Sequence, residues 1–193
     1  MVDHPLEQTT LMSIDEFMRL YDTEGPFEIV DGERIPKMPS SSKHSYSTRA
    51  TLRALDGYSL AHQLGEVFSE ATFILVDKPN WVKGSRIPDI MFFSAAKVGA
   101  FQAETPDWGD KPFIIVPDLV VEVVSPTDNY SDVDAKVEHY IEDGVQIVLV
   151  VDPTQKTVTV RGKDYYKKLR VGHILTLGDI MPGFELAVAK IFE

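Results

Sequence analysis

The chain has 193 residues, a formal net charge of −11 and no cysteine. Without cysteine it has no disulfide and no zinc or iron–sulfur site held by thiolates. The acidic balance argues against a broad basic surface for nucleic acid, because Lys and Arg that neutralise phosphates supply most non-specific affinity. The length is typical of one domain, so we expect a single domain over residues 1–193, with its core over about residues 13–192.

No apolar run in the sequence approaches the roughly 20 residues of a membrane span. The first residues, Met1 to Pro5, also lack the basic and apolar segments of a secretory signal peptide. We therefore expect a cytoplasmic protein without a membrane partner.

The N-terminal part of the sequence predicts a helix, a hairpin and a second helix. A capping-box pattern predicts a short helix over residues 13–20. The dipeptide Asp31-Gly32 lies between two β-prone runs and predicts a β-hairpin over residues 27–35. Serines at the start and helical spacing of apolar residues predict a longer helix over residues 42–63, with Gly65 as its C-terminal stop.

The middle of the sequence is richer in strands. Three strand-like segments cover residues 67–76, 86–93 and 119–124, and they can pair as a meander. Between the last two segments we expect an irregular stretch with several prolines and a glycine. A loop of that length inside a compact domain is often functional or mobile.

The last part of the sequence predicts a strand–helix–strand unit, in which a helix over residues 131–142 connects the 119–124 segment to a strand over 146–151. Such a unit implies a parallel pair of strands with a right-handed crossover. A hairpin over residues 157–169 and a last helix over 186–192 are expected after it. The fold class is therefore α/β or α+β, a mixed β-sheet flanked by helices, with additional N-terminal and C-terminal β-hairpins.

Two acidic residues, Asp89 and Glu122, lie inside otherwise apolar predicted strands. A carboxylate there is costly unless it is paired, hydrogen-bonded or bound to a cation. On sequence-adjacent strands the two could face each other across one ladder, and hard oxygen ligands suit Mg²⁺ or Mn²⁺. The alternative is that each carboxylate is exposed, or is neutralised by a core arginine such as Arg86.

Pro88-Asp89, followed by Glu122 in an apolar strand, resembles the PD-(D/E)XK signature of restriction-endonuclease-like nucleases. More narrowly, the chain resembles the Uma2 family, formerly a domain of unknown function. The motifs that carry this resemblance extend over most of the chain and are Phe27-Glu28-Ile29-Val30-Asp31-Gly32-Glu33, His44, Arg86-Ile87-Pro88-Asp89, Pro117-Asp118-Leu119-Val120-Val121-Glu122-Val123-Val124-Ser125-Pro126-Thr127-Asp128, Lys136, Tyr140, Gly144-Val145 and Val151-Asp152-Pro153.

The resemblance implies a restriction-endonuclease-like core with a metal site. Asp89 and Glu122 would hold Mg²⁺ or Mn²⁺, with the backbone carbonyl of Val123 as a third ligand. The superfamily motif has a lysine two residues after the second acid, where this chain has Val124. The resemblance assigns the role of that lysine to Lys136, on the following helix.

Three further residues are candidates for the same site. His44 matches a family position and would orient a water, contact a phosphate or line the metal site. Glu28 and Glu70 could each add a carboxylate. A solvated surface position is the alternative for each of them, as it is for Lys136.

These residues predict a Mg²⁺-dependent endonuclease that hydrolyses phosphodiester bonds of nucleic acid, with DNA as the expected partner. One alternative is a non-catalytic nucleic-acid-binding or regulatory module that retains the nuclease fold, which the net charge and Val124 favour. Another is a hydrolase that uses two carboxylates for acid–base chemistry, such as a glycosidase. Aromatic residues in predicted loops, namely Trp81, Trp108 and Phe113, suggest a homodimer.

Overall fold

The structure is a computed structural model that describes residues 12–126 and 128–193. Met1 to Pro5 and Thr127, which the sequence analysis used, lie outside the described residues. The described α-helices are α1 (Ile14–Glu24), α2 (Ser42–His62), α3 (Ala95–Glu104) and α4 (Tyr130–Glu142). The strands are β1 (Met12–Ser13), β2 (Phe27–Val30), β3 (Glu33–Pro36), β4 (Gly65–Ser69), β5 (Phe73–Lys78), β6 (Trp81–Arg86), β7 (Ile90–Ser94), β8 (Leu119–Val123), β9 (Ile147–Asp152), β10 (Thr157–Gly162), β11 (Tyr165–Arg170), β12 (Ile174–Thr176) and β13 (Glu185–Ala187).

The strands form a mixed six-stranded sheet and two smaller sheets. The six-stranded sheet has the order β11-β10-β9-β8-β7-β4, in which β8 and β9 are parallel and the other neighbours are antiparallel. A second sheet has the order β1-β6-β2-β3, with β5 also paired to β6, and β12 pairs with β13. The predicted fold class is confirmed, and β8-α4-β9 forms the predicted parallel unit.

Both faces of the six-stranded sheet are covered. Leu55 of α2 packs on one face, against a cluster that includes Val121 of β8 and Phe184 near the C-terminus. Val137 and Tyr140 of α4 pack on the other face. Because successive residues of a strand point to opposite faces, Glu122 lies on the α4 face of β8. None of the helices in the described part of the chain is long and apolar enough to cross a membrane.

The ends of the two N-terminal helices follow from local hydrogen bonds. The Ser13 hydroxyl accepts a hydrogen bond from the backbone N–H of Glu16 at 3.2 Å, as the capping box predicts. The helix α2 ends at His62, and Gln63 adopts the left-handed conformation that Gly65 was expected to supply. Gly65 instead begins β4, where a Cβ atom would lie 2.0 Å from the Phe93 carbonyl oxygen.

Two of the predicted middle strands are each divided between the two larger sheets. The segment 67–76 breaks at Glu70, whose φ is 52°, so that β4 joins the six-stranded sheet and β5 joins the second sheet. The segment 86–93 breaks at residues 87–89, between β6 and β7. In this second segment, residues 86–93 all stay buried where the chain passes from one sheet to the other. The hydrophobic pattern of the sequence there therefore does not show where one strand ends and the next begins.

Two further expectations were wrong. The stretch after β7, expected to be irregular, contains the helix α3, in which Phe101 is the buried residue. A helix with so little apolar periodicity resembles a loop in sequence. The predicted last helix over 186–192 is instead the strand β13 followed by a 3₁₀ turn at Val188–Ile191. Hairpin pairing with β12 decides that outcome.

Candidate active site

The start of β7 lies beside the end of β8, at the point where the polypeptide passes from the second sheet into the six-stranded sheet. Ile90 pairs with Val121 in this antiparallel ladder, so Asp89 and Glu122 occupy the next facing positions at its end. Asp89 is 2% exposed, and the Glu122 side chain is 12% exposed. The structure thus brings the two predicted acids together on the α4 side of the sheet.

Both oxygens of the Asp89 carboxylate are contacted by donors. Its Oδ1 accepts from Lys37 Nζ at 3.1 Å, and its Oδ2 accepts from the backbone N–H of Val123 at 2.8 Å and contacts His44 Nε2 at 2.9 Å. Burial alone would raise the pKa of Asp89, but the hydrogen bond from His44 and the charge of Lys37 lower it to about 2. Asp89 is therefore an anion at neutral pH.

The Lys37 ammonium is a part of the site that sequence reasoning missed. Lys37 follows the β2–β3 hairpin, and its Nζ also donates to the Ile87 carbonyl at 2.8 Å. In sequence it is an isolated lysine between prolines, a pattern typical of a solvated loop. Only the docking of the hairpin beside β6 reveals its place, so no sequence signal could have found it.

His44 lies in the first turn of α2, where Ser41 caps the helix by accepting from the backbone N–H of His44 at 3.4 Å. The imidazole is buried and directed at Asp89. Burial alone would lower the pKa of His44, but the hydrogen bond and negative charge of Asp89 outweigh it and leave the pKa above its usual value. The structure therefore places His44 inside the cluster and not on the surface.

Glu122 meets two residues of α4. Lys136 Nζ lies 3.1 Å from Glu122 Oε1, and the Tyr140 hydroxyl donates to the same oxygen at 2.5 Å. Residues four apart share one face of a helix, so the 136/140 spacing directs both side chains to β8. Burial raises the pKa of Glu122, and although Lys136 lowers it, Asp89 and Glu28 raise it further.

Glu28 is the third carboxylate of the cluster. Its Oε1 accepts from the backbone N–H of Ile87 at 2.7 Å, and its Oε2 lies 3.3 Å from Lys136 Nζ. Burial alone would lower the pKa of Lys136, but Glu122 and Glu28 raise it well above its usual value. Lys136 is therefore a fixed cation between two carboxylates.

The structure places two residues, Glu70 and Arg86, differently from the roles that the sequence analysis considered for them. The Glu70 side chain is exposed, and the residue reaches the site only through its backbone N–H, which donates to the Asp89 carbonyl at 3.2 Å. Arg86 neutralises neither predicted acid, because its Nε pairs with Asp143 at 2.9 Å and its guanidinium donates to the Ile29 carbonyl. Lys37 and His44 pair with Asp89 instead, and Lys136 pairs with Glu122.

The sequence profile of the Uma2 family, which carries the description "Putative restriction endonuclease", matches residues 14–189. The chain belongs to the Uma2 family. Its fold is similar to a crystal structure from Anabaena variabilis ATCC 29413, described as a putative nuclease belonging to DUF820, with a TM-score of 0.75. The two chains are 22% identical, and the match covers 94% of this chain and 97% of the other. The comparison with curated proteins found no match.

The donors of this Uma2 site suit a hard divalent cation. Three carboxylates, Glu28, Asp89 and Glu122, face two lysines and His44, and burial is the main cause of the raised pKa of Glu122. Across residues 12–126 and 128–193, no group of three His, Cys, Asp or Glu side chains is arranged to hold a metal. Carboxylate oxygens are nevertheless the ligand type that Mg²⁺ prefers, and this ion is commonly held by one or two carboxylates together with waters.

The cluster opens to solvent on one side. A cavity of about 250 Å³ is lined by Glu122 and Lys136, together with Val123, Val124 and residues at the start of α4. Val124, at the position of the superfamily lysine, is thus part of the cavity wall. A substrate in this cavity would reach Glu122 and Lys136 directly.

Proposed function

We propose that this Uma2 protein is a metal-dependent endonuclease that hydrolyses phosphodiester bonds of DNA, with Mg²⁺ or Mn²⁺ as its cofactor. The observation that carries the proposal is the contact between Lys136 and Glu122 beside Asp89, at the wall of an open cavity. This contact returns an ammonium group to the acidic pair even though Val124 occupies the usual lysine position. Membership of a family with the description "Putative restriction endonuclease" supports the same activity.

Asp89, Glu122 and the backbone carbonyl of Val123 are the residues that would hold the cation. When bound, Mg²⁺ supplies polarisation of the scissile phosphate and a lower pKa for an attacking water. The N–H of Val123 already donates to Asp89, so the main chain at Val123 lies beside the acid. Glu70 stays a prediction as a further ligand.

Lys136 and His44 have separate tasks in this proposal. The raised pKa of Lys136 keeps its ammonium charged at neutral pH, so it can donate to a phosphate oxygen as negative charge develops there. His44 and Lys37 hold Asp89 ionised and oriented. Tyr140 orients Glu122 through the hydroxyl hydrogen bond, and Glu28 positions Lys136.

A non-catalytic binding module is the second candidate, and one observation favours it. Both oxygens of Asp89 are already engaged by Lys37, His44 and the Val123 N–H. A cation that binds Asp89 must therefore compete with these three donors. If the donors hold, the cluster stabilises the fold and does not cut.

The test combines metal binding with DNA cleavage. Titration calorimetry with Mn²⁺ should give saturable binding in the parent protein and much weaker binding in Asp89→Asn. Supercoiled plasmid should be nicked in the presence of Mg²⁺ or Mn²⁺ and left intact with EDTA. Metal binding without nicking would favour the binding module, and the absence of both would reject the nuclease.

The assembly of the protein is a separate proposal. Trp81 and Trp108 are 42% and 43% exposed, and such rings are enriched where subunits meet. We infer a homodimer, which sedimentation velocity would test. The single domain over residues 1–193 and the cytoplasmic location stay predictions.

A further inference from the structure

The cavity at Glu122 and Lys136 is the first of three adjoining cavities, which we call the groove. The second, also about 250 Å³, shares Val124, Asp128 and Val133 with the first. The third, about 610 Å³, meets the second at Thr154. The groove therefore runs from the candidate active site, past the turn after β9, to the first turns of α2.

Two exposed tyrosines lie along the groove. Tyr130, the first residue of α4, is 79% exposed and lines the second cavity. Tyr46 on α2 is 66% exposed and lines the third. Since the protein covers so little of either ring, both are free to stack on the faces of unpaired bases.

Lysines lie beside these rings. Lys168 lines the second cavity, whereas Lys43 and Lys156 line the third. Within residues 12–126 and 128–193, these three lysines form no salt bridge, whereas Lys111 and Lys190 are each paired with a carboxylate. Their ammonium groups therefore remain available to phosphates.

Two of the acidic residues that line the groove, Asp128 and Asp152, are directed at their own turns. Asp152 accepts hydrogen bonds from the backbone N–H groups of Thr154 and Gln155, both at 2.9 Å. Asp128 accepts from the backbone N–H of Ser125 at 2.8 Å. These bonds orient the carboxylates toward the main chain and reduce their repulsion of a phosphate backbone.

The exposed face of α2 extends the same surface beyond the third cavity. Tyr46, Arg49 and Arg53 are exposed and recur at helical spacing, so they lie along one stripe of the helix. Neither arginine pairs with a carboxylate in the part of the chain that the structure describes. The positive charge of Arg49 and Arg53 is thus continuous with that of Lys43 in the groove.

We propose that the groove binds single-stranded DNA, with Tyr130 and Tyr46 stacking on bases and Lys43, Lys156 and Lys168 contacting phosphates. The inference rests on the proposed function, because it assigns the substrate form that enters the same site. A net charge of −11 leaves few cations for the dense phosphates of a duplex, whereas single-strand binding draws much of its affinity from stacking. The groove thus selects unpaired strands.

The test measures binding without cleavage. Fluorescence anisotropy in EDTA compares a labelled oligothymidine of about 12 nucleotides with the same strand annealed to oligoadenosine. The parent protein should bind the single strand more tightly than the duplex. Binding of the duplex with equal or higher affinity would overturn the proposal.

Tyrosine variants locate the binding on the groove. Tyr46→Ala and Tyr130→Ala should each weaken single-strand binding by about 5-fold or more, whereas Tyr46→Phe and Tyr130→Phe, which keep the ring, should bind like the parent. Tyr165→Ala is the matched control, since Tyr165 is 50% exposed on β11 and lines none of the three cavities. Unchanged binding by both groove variants would overturn the proposal.

Lysine variants test the phosphate contacts by salt dependence. Lys43→Ala, Lys156→Ala and Lys168→Ala should each reduce the slope of log affinity against log salt by about 0.7. Lys167→Ala is the control, because Lys167 precedes Lys168 on β11 and points to the opposite face. Equal slopes in all variants would remove the lysines from the proposal.

The outcome is separable from that of the proposed function. If the parent binds single strands through both tyrosines but nicks no DNA with Mg²⁺ or Mn²⁺, the groove stands and the nuclease fails. If the parent nicks plasmid while the tyrosine variants bind and cut like the parent, the nuclease stands and the groove fails.

Discussion

Two buried aspartates at opposite ends of the β7–β8 ladder show what distinguishes a structural carboxylate from a candidate catalytic one. Asp118, like Asp89, is buried and paired with a lysine, since Lys97 Nζ lies 2.6 Å from its Oδ1. It also accepts from the backbone N–H of Ser94 and from Gln146 Nε2, both at 2.8 Å. Burial of a carboxylate beside a lysine is therefore not sufficient to indicate a functional site.

The difference lies in the neighbours. Burial alone would raise the pKa of Asp118, but Lys97 and the Ser94 N–H lower it, and Lys97 and Gln146 are its side-chain donors. Asp89 shares its surroundings with Glu122, whose pKa is raised and whose side chain lines a cavity. An acid with a perturbed pKa, crowded by like charge in a cleft, is typical of a functional site.

The largest expected effect separates these two ends of the ladder. Asp89→Asn and Glu122→Gln should lower Mg²⁺-dependent plasmid nicking by about 100-fold or more, because each removes charge from the site that would hold the cation. Asp118→Asn should lower the melting temperature but leave nicking by the folded protein close to the parent rate. Equal loss of nicking in all three variants would show that the two ends do not differ.

The two lysines make the second comparison. Lys136→Met should reduce nicking by about 100-fold through loss of charge stabilisation, whereas Lys97→Met should affect stability alone. Lys136→Met should also raise the pKa of Glu122 further. A carboxyl with a raised folded pKa loses stability as pH rises from its unfolded pKa through the folded one, so this variant should lose more stability than the parent as pH rises. Denaturant titrations at several pH values check the sign.

A smaller effect is expected from the hydroxyl that orients Glu122. Tyr140→Phe removes a hydrogen bond to a buried carboxylate and should cost about 1–3 kcal/mol of unfolding free energy, with a loss of nicking of about 10-fold. Tyr58→Phe removes a hydroxyl that donates to the Pro182 carbonyl at 2.9 Å, outside the site. The control should nick like the parent, and a Tyr140→Phe variant with parent activity would exclude Tyr140 from positioning Glu122.

The smallest expected effect is a shift in the titration of His44. The raised pKa of His44 depends on Asp89, so in Asp89→Asn burial and the nearby Lys37 should lower it below 6.5, although Glu122 opposes the fall. In the parent, the stabilisation from charged His44 is fully present below pH 6.5 and is lost as pH rises through the raised pKa. Proton NMR of the imidazole measures the pKa of His44 in the parent and in the variant. An unchanged His44 pKa in the variant would contradict the pairing.

The candidate site was partly readable from the sequence. Asp89 and Glu122 could be singled out because acids inside apolar strands need a partner. Lys136 and His44 followed from resemblance, and the structure places both beside these acids. Lys37 could not be found, because a contact across 52 residues leaves no local pattern.

The fold divides in a similar way. Elements with strong local signals, such as the hairpin at Asp31-Gly32 and the helix over 130–142, were predicted to within a residue or two. The crossings at residues 70 and 87–89, and the helix α3, were not. The crossings are decided by pairings with distant strands, which a local sequence window does not contain, whereas α3 lacks the apolar periodicity that would predict a helix.

The sequence by itself indicated the fold class and the two acids, because periodicity, turn chemistry and misplaced charge are local properties, and its motifs carried the resemblance to the family. Only the tertiary structure decided which cations meet those acids. It brings Lys37 from the hairpin, His44 from α2 and Lys136 from α4 to one end of the sheet. The physical reason is that ion pairing depends on separation in space, and long-range strand register sets that separation.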